Sequence, residues 1–179
     1  YNTLGKQGML VEGFDNVPPF NCLYNYPYYN DFLAALGYVK ECDWLQYKVR
    51  VPEEMPQKLI RVGERLLERY SLRELDIDAL KKDRKQVKAF FDIYNRSFEK
   101  SVHNFIPFTD EEIWEEADQV IPMLNNRISC FLVDSKGGIA GFGVNFPSIS
   151  GALRKCRGHL FPFGWFHLLR ALHNCETID

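Results

Sequence analysis

Residues 128–146 read Ile-Ser-Cys-Phe-Leu-Val-Asp-Ser-Lys-Gly-Gly-Ile-Ala-Gly-Phe-Gly-Val-Asn-Phe. Two apolar arms, 128–133 and 139–146, flank Asp134-Ser135-Lys136-Gly137-Gly138. A polar, glycine-bearing break between apolar runs specifies a β-hairpin. The second arm carries Gly141 and Gly143, which weaken a strand or let another backbone or a ligand approach. Upstream, Asp83 to Lys100 places Val87, Phe90, Phe91, Tyr94 and Phe98 on one helical face. Thr109-Asp110-Glu111-Glu112 is a capping box. Ile113, Ala117, Val120, Ile121 and Leu124 continue its helix until Pro122 kinks or ends it. Leu59, Val62, Leu66 and Tyr70 make an earlier helical stripe, and Leu72 to Ile77 has the pattern of a short strand. After Pro147, residues 151–156 and 163–173 read as helices, and 176–179 as the start of a strand.

The N-terminal part is organised separately. A Gly-rich stretch from Gly5 to Gly13 leads to Pro18-Pro19 and an apolar run, 20–24, with strand character. Asn25 suits a helix cap and Pro27 a first helical turn. Tyr29, Phe32, Leu33 and Leu36 share a helical face, and Gly37 terminates it. Leu45, Tyr47, Val49 and Val51 alternate with Gln46, Lys48 and Arg50, which predicts a strand with one buried face. Pro52 and Pro56 bracket a charged break. No repeat at solenoid spacing and no low-complexity segment interrupts the chain.

The chain has 179 residues, of which 46% are hydrophobic, 26% charged and 15% aromatic. This is the composition of a folded protein with a sizeable core. The net charge of -2 carries no basic excess of the kind nucleic-acid binders show. Five cysteines without a CxxC pair suit free thiols in a reducing compartment, implying a cytoplasmic location. No apolar run reaches the length of a membrane-spanning helix. The first residues lack the pattern of a signal peptide. The chain begins at Tyr1 rather than Met, which predicts that the numbering starts inside a longer product.

Motifs for specific chemistry are sparse. The four histidines form no HExxH, so no metal site is expected. GxSxG, GxGxxG and the P-loop pattern are absent. Cys130, in an apolar strand pattern, reads as an inert core thiol. Cys156 lies between Lys155 and Arg157, which lower a thiol pKa, or is an incidental surface residue. Tyr24, Tyr26, Tyr28 and Tyr29 either line a pocket and donate protons or form an aromatic core with polar tips. Phe161 to Phe166 either faces a lipid or acyl chain or opens a buried helix.

The order of elements suggests a family. Residues 67–179 give a strand, two helices, a hairpin with a glycine-bearing arm, a helical insertion and a further strand start. This resembles the front half of the fold of the GNAT superfamily of N-acetyltransferases. Residues 17–51 give a strand, Asn25, a helix ending in Leu36-Gly37-Tyr38 and a long strand region, which resembles the back half. Glu12-Gly13-Phe14-Asp15, Tyr24-Asn25-Tyr26-Pro27-Tyr28-Tyr29 and Leu36-Gly37-Tyr38 are similar to one branch in particular. That branch comprises long bacterial proteins with tandem GNAT-like modules, bacterial ceramide synthases among them. The resemblance covers most of the chain. It implies an incomplete, α+β GNAT-like fold with a mixed, mostly antiparallel sheet flanked by helices. Residues 1–51 would then end one module, 52–66 form a linker and helix, and 67–179 begin a second module.

The resemblance also implies an N-acyltransferase that moves an acyl group from acyl-CoA to an amine, a lipid amine being one candidate. The family's pyrophosphate loop, [Gln/Arg]-x-x-Gly-x-[Gly/Ala], is absent here, so no acyl-CoA is expected to bind this chain by itself. The position of the family's frequent catalytic Tyr, four residues before the Gly of its Leu-Gly-Phe, is Leu33. Asn25 lies near, but out of register with, the family's Asn. No catalytic residue is assigned. The pocket candidates are Tyr24, Asn25, Tyr28, Tyr29, Phe142, Gly143, Asn145 and Trp165, with Val144 beside them. Two alternatives stand beside this reading: a non-catalytic GNAT-like structural or interaction module, and an α+β domain that binds a lipid or peptide. Each half-module leaves an open sheet edge, which predicts strand pairing across the linker or self-association.

Overall fold

The core is built by one helix lying across one hairpin. In the structure, a computed structural model that describes residues 8–19, 22–174 and 176–179, helix α4 runs over Arg84–Ser101. Asp83 caps it by accepting from the Lys85 N–H at 2.9 Å. Its face of Val87, Phe90, Phe91 and Tyr94 is buried, as the periodicity predicts, with Phe98 packed at the margin. That face meets strands β2 (Cys130–Val133) and β3 (Ile139–Gly143). Phe90 sits edge-on to Phe131 and Phe142, with centroids 5.2 and 4.9 Å away. Such edge-to-face contacts stabilise beyond the area they bury.

The hairpin forms where the sequence places it. Phe131 pairs with Phe142, and Cys130 with Gly143. Asp134 Oδ1 organises the turn by accepting from the N–H groups of Lys136 and Gly138, at 2.8 and 2.9 Å. Gly137 takes φ +81°, a conformation that suits glycine. A third strand, β1, is confined to Arg73–Glu74 and pairs antiparallel with β2, giving the order β1-β2-β3. The 72–77 strand pattern is cut short because Asp76 caps α3 (Ile77–Leu80) through the Asp78 N–H. All pairs among the described residues are antiparallel. The fold class is thus α+β, with a smaller sheet than the sequence suggests.

Strand period decides one correction. Phe131 and Val133 point inward and are buried, so the alternate residue Cys130 is exposed. Desolvation, aided by the Glu74 carboxylate, still raises the Cys130 thiol pKa. The thiol is therefore a surface group and not the core residue its apolar context implies.

Helix α5 (Asp110–Val120) opens with the expected capping box: Thr109 Oγ1 accepts from the Glu112 N–H, and Glu112 accepts from the Thr109 N–H. Pro122 then falls in a 3-10 turn over Ile121–Met123. Lys88 joins α4 to α5 by pairing with Asp110 at 3.0 Å, and Arg84 stacks over Trp114 at 4.0 Å. Helices α6 (Ser150–Lys155) and α7 (Gly164–His173) pack on each other after the hairpin. The last residues return to pair Asp179 with Phe146 through two hydrogen bonds of 2.9 and 3.0 Å.

The N-terminal part departs most from expectation. Helix α1 covers Tyr28–Ala35 and ends in a Schellman motif. Gly37 at φ +86° donates to Ala34 O, and Tyr38 N–H donates to Leu33 O. Asn25 does not cap α1; Pro27 occupies that position. The expected strand at 20–24 is absent from the described residues 22–24, and Phe20 and Asn21 lie outside the described set. Residues 45–51 form no strand, and Leu45, Tyr47, Val49 and Val51 are 71–80% exposed. A strand needs a partner for its backbone, and none of the described sheet strands pairs with this segment. Strand pairing across the linker is likewise absent among the described residues. Helix α2 (Gln57–Arg69) forms, but its stripe of Leu59, Val62, Leu66 and the following Tyr70 is exposed.

Candidate functional site

A cleft of about 520 Å³ opens between the N-terminal segment and α6. Its first wall is local chain folded back on itself. Asn25 holds residue 10 at both ends, accepting from Leu10 N–H at 2.7 Å and donating to Leu10 O at 3.1 Å. Asn30 donates to the same carbonyl at 3.2 Å. Tyr24 hydroxyl donates to Phe14 O at 3.1 Å. Gly13, at φ +80°, turns the chain and accepts from Asn16 N–H. These bonds set Phe14 and the stiff Pro18-Pro19 pair along the cleft. The second wall is α6, through Ser150, Leu153 and Arg154.

The lining is apolar along Phe14, Val17, Pro18 and Leu153, and charged at its rims. Arg154 and Asp15 both line it, yet they do not form an ion pair. Ser150 Oγ is enclosed and has no hydrogen-bond partner among the described residues. The lining offers apolar walls with one guanidinium, Arg154, and one carboxylate, Asp15, a combination that suits a small amphiphile with a polar head.

Of the eight candidates named from sequence, Tyr24 lines this cleft. Asn25 stands behind its wall as a clamp. Tyr28 and Tyr29 stack with each other at 4.8 Å, and Tyr28 also stacks with Tyr26. Desolvation in the stack, then the hydrogen bond with Tyr29, raises the Tyr28 phenol pKa. Phe142 belongs to the core beneath α4. Gly143 is exposed at the end of β3. Asn145 is structural: its Nδ2 donates to Ile128 O at 2.7 Å, and Ser129 hydroxyl bridges its N–H and C=O. Trp165 lies on the exposed side of α7, with its indole N–H donating to Pro162 O at 2.9 Å. The structure does not gather these eight into one site.

Sequence reasoning missed Ser150, Leu153 and Arg154. Their only sequence signal was a short helical pattern, and the opposite wall lies far away along the chain. Among the described residues no group of three or more His, Cys, Asp or Glu could hold a metal ion, and no helix is long and apolar enough to cross a membrane.

The fold is that of an α+β protein with a small antiparallel sheet and an open cleft beside α6. The chain is similar over most of its length to two curated proteins. It is 27% identical over 175 residues to Protein YghO of Escherichia coli (strain K12), an alignment covering 92% of this chain and 41% of that protein. It is 28% identical over 163 residues to a protein named bacterial ceramide synthase from Caulobacter vibrioides (strain NA1000 / CB15N), covering 90% of this chain and 41% of the relative. The chain thus spans about two fifths of the length of these relatives. No family model matches the chain, and no solved structure matches it.

Proposed function

We propose that this chain belongs to an N-acyltransferase-like protein that joins an acyl group, carried as acyl-CoA, to an amine, with a lipid amine as the acceptor class. The observation that carries the reading is the similarity, over 90% of this chain, to a protein named bacterial ceramide synthase. Making a ceramide forms an amide from an acyl group and a long-chain amine. The order of helices and the glycine-bearing hairpin arm support the same reading through their GNAT-like pattern.

In this reading the neutral amine attacks the thioester carbonyl, and backbone N–H donors stabilise the oxyanion. Collapse of the tetrahedral intermediate forms the amide C–N bond and breaks the C–S bond. One proton leaves the nitrogen for a base, and an acid supplies one to the thiolate. The cleft contributes binding: Arg154 holds the polar end of a substrate, and Leu153, Pro18 and Phe14 cover adjoining apolar carbons. This lining of apolar side chains and a cation also favours a second reading, a non-catalytic module that binds an amphiphile.

The test is calorimetric titration of a long-chain acyl-CoA into this chain and into the same chain lengthened along its reading frame. Mass spectrometry would then search for an amide with a long-chain amine. Binding and amide formation by the lengthened protein are expected. Binding by neither protein overturns the acyltransferase reading. Binding of a long-chain amine alone, without amide formation, supports the second reading.

A further inference from the structure

We propose that residues 150–173 form a peripheral docking surface for anionic phospholipid bilayers. The proposal does not rest on acyl transfer. It rests on how α7 divides its faces and on where the chain concentrates its positive charge.

Gly164, Leu168 and Ala171 recur at i, i+4 and i+7, and make the inward stripe of α7, fully or partly buried. A Cβ on Gly164 would overlap the His159 carbonyl oxygen, so this face is already closely packed. Trp165, Leu169 and Leu172 make a second stripe with the same spacing, and with Phe166 they are 45–56% exposed. Phe161 and Phe163, just before the helix, are 83% and 74% exposed. Contiguous exposed apolar side chains of this size mark an interaction surface.

The charge around this stripe selects the partner. Between Asp134 and Glu176 the sequence has no carboxylate side chain but has five Lys and Arg and three of the four His. This stretch carries a formal +5 in a chain whose net charge is -2. Arg154, Lys155 and Arg157 are exposed at the end of α6, and Arg170 is exposed on α7. Among the described residues none of these four pairs with a carboxylate. Exposed Trp, Phe and Leu beside unpaired cations are the features of helices that lie in a bilayer interface. Tryptophan favours headgroup depth, and cations are drawn to anionic leaflets. With ten residues, α7 is too short to span and suited to lie flat. A two-fold contact with a second copy would set the same cationic patch against itself, which disfavours a homodimer here.

The test is flotation of the full chain with vesicles of equimolar phosphatidylcholine and phosphatidylglycerol, and with phosphatidylcholine alone. Binding to the anionic vesicles, weakened by salt, is expected. Trp165→Ala with Leu169→Ser, and separately Lys155→Glu with Arg157→Glu and Arg170→Glu, should each lower partitioning by roughly tenfold or more. All five positions are exposed, so thermal melts should match the parent; if a variant melts early, brominated-lipid quenching of the parent's tryptophan emission replaces it. No flotation at low salt overturns the proposal, as does equal binding to both vesicle types. Self-association that shields Trp165 from a soluble quencher also overturns it and assigns the face to a second copy.

Discussion

Gly164 opens α7 against the segment that leaves α6. An added Cβ there would strike the His159 carbonyl and lie 2.9 Å from Cys156 Cβ. Backbone cannot swing aside as a side-chain tip can, so Gly164→Ala should destabilise by about 1–3 kcal/mol, the usual cost of overpacking. A thermal melt checks this; an unchanged midpoint would mean that α7 does not pack as described. Glu41 offers a second test. Its carboxylate meets His103 Nε2 at 3.0 Å and accepts from Asn104 Nδ2 at 2.8 Å. These bonds, His103 first, hold the Glu41 pKa below the ordinary glutamate value. A lowered folded pKa means that the tether is present above the ordinary value and is lost as pH falls through the lowered one. An NMR titration of the Glu41 carboxyl carbon should show a midpoint below that of a free glutamate. A midpoint at or above it would show that the tether does not form in solution.

Elements differ in how much of them could be read from the chain. The cap of α5 was legible because Thr109 and Glu112 satisfy each other's backbone within four residues. Thr109→Ala should cost about 1 kcal/mol, read as a drop in the denaturation midpoint; no drop would show that the box contributes nothing in solution. The buried face of α4 was legible for the same reason, since one turn of helix sets which residues stand together. The stripe of α2 was equally clear, yet Leu59, Val62 and Leu66 remain 45–56% exposed. Periodicity shows which face is apolar but not what covers it. The alternation at 45–51 failed as a strand prediction on this ground: a sheet needs a neighbour's N–H and C=O groups. The candidate site was barely legible. Of the residues named from sequence Tyr24 lines the cleft, whereas Arg154 joins it from a wall distant in sequence.

At the scale of the molecule, stability is unevenly spread. The buried cluster lies between Ile77 and Phe131, on α3, α4, α5 and β2. Residues 39–55 instead make side-chain links, Glu41 to the 103–104 turn and Gln46 to Cys22 Sγ, with no backbone hydrogen bond to the other described residues. Amide exchange should therefore be near the unfolded rate across 40–55 and strongly slowed in α4, β2 and β3. Protection across 45–51 would reveal a strand partner for that segment. The sequence by itself determined the hairpin at 128–146, the capping box at Thr109, the helix stop at Gly37 and the core face of α4. Each of these is settled by residues within a few positions of one another. Only the tertiary structure decided that Phe131 faces inward and Cys130 outward, that Asn25 clamps Leu10, that residues 14–19, Cys22 and Tyr24 meet α6 across a cleft, and that Trp165 is left exposed on α7. These outcomes depend on contacts between distant segments, where the choice among partners is made by packing and not by local pattern.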